Sequence, residues 1–254
     1  MNARPVVQRL LCKVPEVTLG FWVVKIAATT LGETGGDALS MSLQLGYLVS
    51  TLIFAVIFLL AVSLQIRSDQ FHPLRYWITI IATTTVGTTL ADFADRSLGI
   101  GYAGGTSLLF VLLMASLLLW KKTLGSVSFR SVSDPRAEAF YWATIMFSQT
   151  LGTALGDWAA DSAGLGYGGG AVLFAALLAL VVAAYFWTGL SRTLLFWAAF
   201  ILTRPLGAVV GDFLDKPVSA GGLALSRYGA SATLIAFIVL WLLFFRQRAA
   251  QSGH

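Results

Sequence analysis

The chain has 254 residues, of which 57% are hydrophobic and only 11% are charged, and its formal net charge is +5. Soluble domains carry about a quarter charged residues, so this composition excludes an ordinary water-soluble fold. The single cysteine, Cys12, excludes an internal disulfide, and two histidines leave little for a histidine-based metal, haem or flavin site. We therefore expect an integral membrane protein without a bound cofactor.

The hydropathy pattern predicts eight helices, each close to the roughly 20 residues that a transmembrane helix needs. Four of them carry charge near one end and form the odd-numbered set, at 17–38, 76–95, 139–161 and 194–214. They alternate with four uncharged segments, the even-numbered set, at 45–66, 103–120, 165–190 and 228–245. The expected fold is an all-α, polytopic membrane protein with eight transmembrane helices in a single membrane domain, 1–254.

The basic residues are divided unevenly between the two sets of predicted loops. Twelve lie in the terminal segments and the loops on the side of the N-terminus, against Arg96, Lys216 and Arg227 on the other side. Because cytoplasmic loops are enriched in Lys and Arg, we expect both termini to be cytoplasmic. The bases form no continuous patch, so we expect the lipid bilayer rather than nucleic acid as the partner. The sequence leaves the oligomeric state open.

A four-fold internal repeat runs through the chain. Each copy has a tryptophan, a glycine ten residues later and an aspartate fifteen residues later, without a gap: Trp22, Gly32 and Asp37; Trp77, Gly87 and Asp92; Trp142, Gly152 and Asp157; Trp197, Gly207 and Asp212. We place the repeats at 16–70, 71–125, 136–190 and 191–248. The extra length between the second and third copies indicates two duplicated halves, 1–125 and 136–248.

With these tryptophans in register, the sequence resembles a family of bacterial integral membrane proteins made of four tandem two-helix repeats, each with one signature tryptophan. The resemblance covers nearly the whole chain and implies eight helices and a bacterial inner-membrane location, but no substrate. Since each repeat has two helices, all copies should insert in the same orientation. We therefore expect pseudosymmetry about the membrane normal.

Small residues recur four apart in the odd helices, and such faces let helix backbones approach closely in lipid. We expect the odd helices to pack on one another through these glycines: Gly32, Gly36, Gly87, Gly152, Gly156, Gly207 and Gly211. The four tryptophans are typical of residues at the membrane interface, which predicts an anchoring role.

Beside the glycine face, oxygen-bearing side chains lie a turn or two apart on the same helix face. The candidate ion-binding residues are Glu33, Asp37, Asp92, Asp157, Asp212, Thr30, Thr85, Thr88, Thr150 and Thr153. Carboxylates at membrane depth cost at least about 2.5 kcal/mol each, so they are rare without a function. Carboxylate and hydroxyl oxygens suit hard cations such as Mn²⁺, Mg²⁺ or Ca²⁺, or protons. The four aspartates are the candidate metal ligands.

Lys25 and Arg204 break the repeat, because the other copies have uncharged residues at both positions. Each lies eight residues before an acid of its own helix, Lys25 before Glu33 and Arg204 before Asp212, so both are candidate charge partners. Asp95, Asp161 and Asp215 follow the main aspartates and are expected to begin solvated loops.

The leading hypothesis is a secondary transporter that moves a small hard cation along a path lined by the odd helices, with protons as a candidate coupling ion. The alternative is a structural or sensory scaffold in which the aspartates reach the solvated interface or only lock helices together. A membrane enzyme is a weaker alternative, because the sequence has no serine–histidine pair and no H-E-x-x-H motif. The sequence leaves substrate, direction of transport, and channel or carrier behaviour open.

Overall fold

The computed structural model describes residues 12–128, 132 and 134–250. Within these residues the chain is all-α and has eight α-helices, as the sequence predicts. Their bounds are α1 Leu19–Asp37, α2 Gly46–Ile66, α3 Pro73–Asp92, α4 Gly101–Leu124, α5 Pro135–Asp157, α6 Gly166–Trp187, α7 Arg192–Asp215 and α8 Arg227–Phe244.

Local sequence explains where several helices begin. Thr18, Asp134 and Ser226 cap α1, α5 and α8 by accepting hydrogen bonds from backbone N–H groups of the first turn. Pro73 and Pro135 occupy the first helical position, where the missing N–H costs nothing.

The first three odd helices each continue past their aspartate into one π-helical turn, at Ala38–Ser42, Phe93–Ser97 and Trp158–Ser162. Glycines with positive φ then redirect the chain before the next helix. In the fourth unit, α7 ends at Asp215 and a short 3₁₀ turn, Val218–Ala220, precedes α8.

The odd helices form a closed ring in the order α1, α3, α5, α7 and back to α1. Each even helix packs on the odd helix of the next unit: α2 on α3, α4 on α5, α6 on α7, and α8 on α1. The fourth unit therefore meets the first in the same way that each earlier unit meets its successor. The ring encloses one axis, and the even helices surround it.

The burial pattern is inverted relative to a soluble protein. The even helices expose large apolar side chains on the outside of the bundle, including Leu60 at 62%, Val172 at 70% and Leu243 at 75%. Buried threonines and acids concentrate on the odd helices. Among the described helices, α2, α4, α6, α7 and α8 are long and apolar enough to cross a membrane. This arrangement defines a helical membrane protein.

The two terminal segments pair with each other. Pro15 and Ala249 form an antiparallel bridge, the Glu16 N–H donates to the Arg248 carbonyl at 2.9 Å, and the Ala250 N–H donates to the Val14 carbonyl at 2.8 Å. The two described ends of the chain, at residues 12 and 250, therefore lie at the same end of the bundle. Their cytoplasmic location stays a prediction.

Candidate ion site on the ring axis

Each odd helix contributes to the ring interior a stripe of five residues spaced four apart, about one turn. All twenty are buried. From one end of the ring to the other they form an aromatic layer (Phe21, Tyr76, Tyr141, Phe196), a lysine layer (Lys25, Ile80, Ile145, Phe200), a glutamine layer (Thr29, Thr84, Gln149, Arg204), a glutamate layer (Glu33, Thr88, Thr153, Ala208) and an aspartate layer (Asp37, Asp92, Asp157, Asp212).

Two basic side chains join the aspartates in pairs. Arg96 Nε lies 2.9 Å from Asp92 Oδ1, and its Nη2 lies 3.4 Å from Asp157 Oδ2. Arg96 stands four residues after the aspartate of its own unit, Asp92, and its side chain reaches the aspartate of the next unit, Asp157. Arg96 therefore links the second unit to the third.

Lys216 makes the equivalent link between the fourth unit and the first. Its Nζ lies 3.0 Å from Asp212 Oδ1 and 2.5 Å from Asp37 Oδ2. Burial alone would lower the pKa of this ammonium, but the carboxylates of Asp212, Asp37 and Asp215 outweigh burial and raise the pKa above the ordinary lysine value. Lys216 is therefore charged at neutral pH.

The aspartate layer retains binding capacity for a cation. Within the described part of the chain, Asp37 Oδ1 and Asp92 Oδ2 are buried and accept no hydrogen bond. Asp37, Asp212 and Asp215 each place a carboxylate oxygen within 4.8 Å of the others, close enough to share one metal ion. Among the described residues, they form the one group of three acids close enough to do so. Their oxygens match the ligands that hard cations prefer.

One arginine organises the glutamate layer. Arg204 Nη2 donates to Glu33 Oε2 at 2.9 Å, and to the hydroxyls of Thr88 and Thr153 at 2.5 Å each. The fourth member of this layer is Ala208, whose small side chain leaves room for the guanidinium. Residues of all four units thus meet at this level, with an ion pair at the centre.

The prediction for the two asymmetric bases is partly wrong. Arg204 pairs with Glu33 on a neighbouring helix and not with Asp212 on its own, because residues eight apart on a helix are separated by about 12 Å. Lys25 has no acidic partner among the described residues, and its Nζ lies 4.3 Å from the centre of the Phe200 ring.

The candidate threonines divide into two groups. Thr88 and Thr153 contact Arg204, as described above. Thr30, Thr85 and Thr150 instead donate to carbonyls of their own helices four residues earlier, at 2.7–3.0 Å. Thr88 also donates to a carbonyl of its own helix, that of Thr84 at 3.1 Å, so this bond alone does not separate the two groups. Thr30, Thr85 and Thr150 lie one position outside the stripe, and their part in an ion site stays a prediction.

The glycines lie where neighbouring odd helices approach most closely. A Cβ at Gly32 would overlap Thr84, and the equivalent contacts around the ring are Gly87 with Gln149, Gly152 with Arg204 and Gly207 with Thr29. One turn further, Gly36 faces Thr88, Gly156 faces Ala208 and Gly211 faces Glu33. Each glycine thus contacts the corresponding stripe residue of the next unit.

The interpretation of the tryptophans as interface anchors is wrong for Trp77, Trp142 and Trp197, which are at most 4% exposed; Trp22 is half-buried. Each tryptophan packs against the aromatic-layer residue of the preceding unit, with ring centres 5.4–6.1 Å apart. Protein surrounds Trp77, Trp142 and Trp197, and the indole N–H groups of Trp77 and Trp197 donate to Gln247 Oε1 and to the Val127 carbonyl. Together with the Tyr76–Tyr141 hydroxyl contact at 2.8 Å, the tryptophans close this end of the axis.

Burial also corrects the expectation for the second set of aspartates. Asp95 and Asp215 are each only 7% exposed, whereas Asp161 is exposed as expected. Asp215 pairs at 3.1 Å with Arg227, which also lies 3.7 Å from Asp37. Arg227 is a site residue that the sequence pattern did not predict. One sequence feature could have indicated it, because Arg227 occupies a repeat position at which the other three units have glycine.

Four units with the same stripe, packed in a closed order, define a tandem-repeat, all-helical membrane protein. The chain belongs to the family described as Repeat of Unknown Function (DUF347), whose model matches residues 20–71, 75–125, 140–191 and 195–249. This match confirms the resemblance to a tandem-repeat family of unknown function. No curated protein and no solved structure matches the chain.

Proposed function

We propose that this protein is a secondary transporter of the bacterial inner membrane that moves a small hard cation, such as Mn²⁺, Mg²⁺ or Ca²⁺, along the ring axis. Protons are the candidate coupling ion. In this proposal all eight helices cross the membrane, the four units are related by rotation about the membrane normal, and both termini are cytoplasmic.

The observation that carries this proposal is the charge balance of the aspartate layer. Four buried carboxylates share two basic groups, Arg96 and Lys216, while Glu33 and Asp215 have their own partners in Arg204 and Arg227. Two formal negative charges in this layer are therefore uncompensated. Such charge is costly at low dielectric, so it favours binding one divalent cation or two protons.

The two bases also suggest how the site exchanges its ion. The Arg96 and Lys216 side chains are 31% and 11% exposed, whereas the carboxylates that they contact are nearly fully buried. Each base has a route to solvent at the aspartate end of the ring. In the proposed mechanism an arriving cation displaces these internal cations, and the aromatic layer keeps the opposite end closed.

A structural scaffold is the second candidate, and the same ion pairs favour it. The pairs link neighbouring units, Arg96 to Asp157 and Lys216 to Asp37, so they stabilise the ring without any exchange. The two candidates differ in what they require of the carboxylate charge. A transporter needs that charge to bind a cation, whereas a scaffold needs only helix contacts.

The experiment is a flux survey of the purified full-length protein in liposomes, with Mn²⁺, Mg²⁺, Ca²⁺, Na⁺ and K⁺ in turn and with and without a pH gradient. We expect flux of one divalent ion in the wild type and at least a tenfold loss in Asp157→Asn and Asp212→Asn. Asn keeps much of the side-chain shape but lacks the negative charge that the ion requires. Asp69→Asn, at an exposed loop position, is the matched control and should transport normally.

Two results would refute the transporter proposal. One is the absence of flux for every ion tested in liposomes that contain folded protein. The other is wild-type flux in both asparagine variants, which would show that the aspartate charge is dispensable. In either case the scaffold interpretation stands.

A further inference from the structure

A second polar cluster lies on the axis between the aromatic layer and the glutamate layer. It consists of Lys25 from the lysine layer and Thr84, Gln149 and Arg204 from the glutamine layer. All four residues have 0% relative exposure. They come from all four odd helices, and they are eight to twelve residues, or about 12–18 Å, from the aspartates of their own helices.

Several polar atoms of this cluster have no hydrogen-bond partner among the residues that the structure describes. They are Lys25 Nζ, Thr84 Oγ1, Gln149 Nε2 and Oε1, and Arg204 Nε and Nη1. Buried polar atoms without partners are rare in proteins, and here six occur on stripe residues of the same ring. Most of them are N–H or O–H donors, and Gln149 Oε1 is an acceptor. A ligand that accepts hydrogen bonds would satisfy the donors.

The charges in this region point to the sign of that ligand. Arg204 is balanced by Glu33 at 2.9 Å, whereas Lys25 Nζ has no ion-pair or hydrogen-bond partner among the described residues and lies 4.3 Å from the centre of the Phe200 ring. When Lys25 is protonated, its positive charge has no compensating carboxylate among the described residues. An isolated buried ammonium is costly unless an opposite charge accompanies it.

We infer that this cluster binds one small monovalent inorganic anion, such as chloride, between the Lys25 ammonium and the Arg204 guanidinium, with donors from Gln149 and Thr84. The ligand must be small, because the glycines at this level hold the four helices in direct contact. A bound anion would also reduce the repulsion that these two bases exert on a cation on the same axis. The inference does not depend on cation transport.

The test uses purified full-length protein in detergent and measures equilibrium binding of radioactive chloride at constant ionic strength, with gluconate as the replacing anion. We expect saturable binding of one chloride per chain, displaced by bromide or nitrate. Lys25→Met should weaken binding at least tenfold, and Gln149→Leu should weaken it severalfold. Lys122→Met is the matched control, because Lys122 is exposed at the end of α4, and it should bind chloride like the wild type.

Thermal unfolding in chloride and in gluconate gives a second readout on the same samples. Chloride should raise the unfolding temperature of the wild type and of Lys122→Met, but not of Lys25→Met. If Lys25→Met does not fold, Gln149→Leu and the wild-type binding isotherm decide the question.

The absence of saturable chloride binding in the wild type would overturn the inference, as expected if Lys25 is neutral and hydrated. Equal binding by the wild type, Lys25→Met and Gln149→Leu would also overturn it. Chloride binding without any cation flux would leave this site standing and refute the proposed transport function instead.

Discussion

Lys216 Nζ lies 2.5 Å from Asp37 Oδ2, although the two residues are 179 positions apart in the sequence. The ion pair joins the end of α7 to the end of α1, and so links the last unit of the ring to the first. The base at the same position of the second unit, Arg96, makes the corresponding contact with Asp157. The two bases therefore occupy alternate units of the ring.

We expect Lys216→Met to lower the free energy of unfolding by up to about 3 kcal/mol, because Asp37 and Asp212 lose their shared cation. Because the Lys216 side chain is partly exposed, we expect the loss of stability to fall at the lower end of the range for breaking a buried ion pair. If exchange with a substrate cation operates, the transported divalent ion should stabilise the variant more than the wild type. Thermal unfolding in detergent, with and without the ion, measures both effects.

Lys122→Met is the control for loss of a lysine and should unfold like the wild type. A Lys216→Met protein that is destabilised but gains nothing from any divalent ion would contradict the exchange mechanism. That result would favour the scaffold.

Gly152→Ala should destabilise the protein by about 1–3 kcal/mol, because the added methyl overlaps the Arg204 side chain in a closely packed interface. Gly156→Ala should be milder, since its methyl would meet Ala208 Cβ at 3.0 Å. Gly35→Ala is the matched control in α1, where nothing lies within 4 Å of the new methyl. There the higher helix propensity of alanine predicts a gain of up to about 1 kcal/mol.

Equilibrium unfolding of the three glycine variants in one detergent provides the comparison. If Gly152→Ala is as stable as Gly35→Ala, the close packing of α5 on α7 is not a determinant of stability.

Both termini should be cytoplasmic. Pro15 pairs with Ala249 at one end of the bundle, and the distribution of basic loop residues predicts that this end is on the inside. Alkaline phosphatase fused after the C-terminus should be inactive, and a green fluorescent protein fusion should fluoresce. An active phosphatase fusion would reverse the topology and place the aspartate layer at the cytoplasmic end.

The repeat made the aspartate layer predictable, since a residue at one register position in four equivalent helices must recur at one level. The partners of those aspartates were not predictable, because pairing depends on which helices are neighbours. Arg204 meets Glu33 only because α7 packs against α1, and this ring closure leaves no mark in local sequence.

The tryptophans show the same limit. Trp77 is a typical interface residue by composition and position, but it packs beside Phe21 of α1, and its indole N–H donates to Gln247 Oε1 at 2.8 Å. Hydropathy located the helices correctly, but it could not show which polar faces turn inward.

Arg204 and Glu33 form a buried ion pair in the middle of the ring, which makes them suitable for a double-mutant cycle. Their facing side chains are 0% and 3% exposed, and Nη2 lies 2.9 Å from Oε2. Removing one partner leaves the other charge buried without compensation, at a cost of about 3–5 kcal/mol. Arg204→Met and Glu33→Gln should each be strongly destabilised.

The double variant Arg204→Met/Glu33→Gln removes both charges, so it should recover much of the stability lost in either single variant. Thr153→Val, which removes one hydroxyl from the same guanidinium, should cost only about 1–3 kcal/mol, as expected for the loss of one hydrogen bond. Chemical unfolding of the four variants in one detergent provides the cycle. If the single-variant losses simply add in the double variant, the two charges do not interact, and the glutamate layer is held together by packing alone.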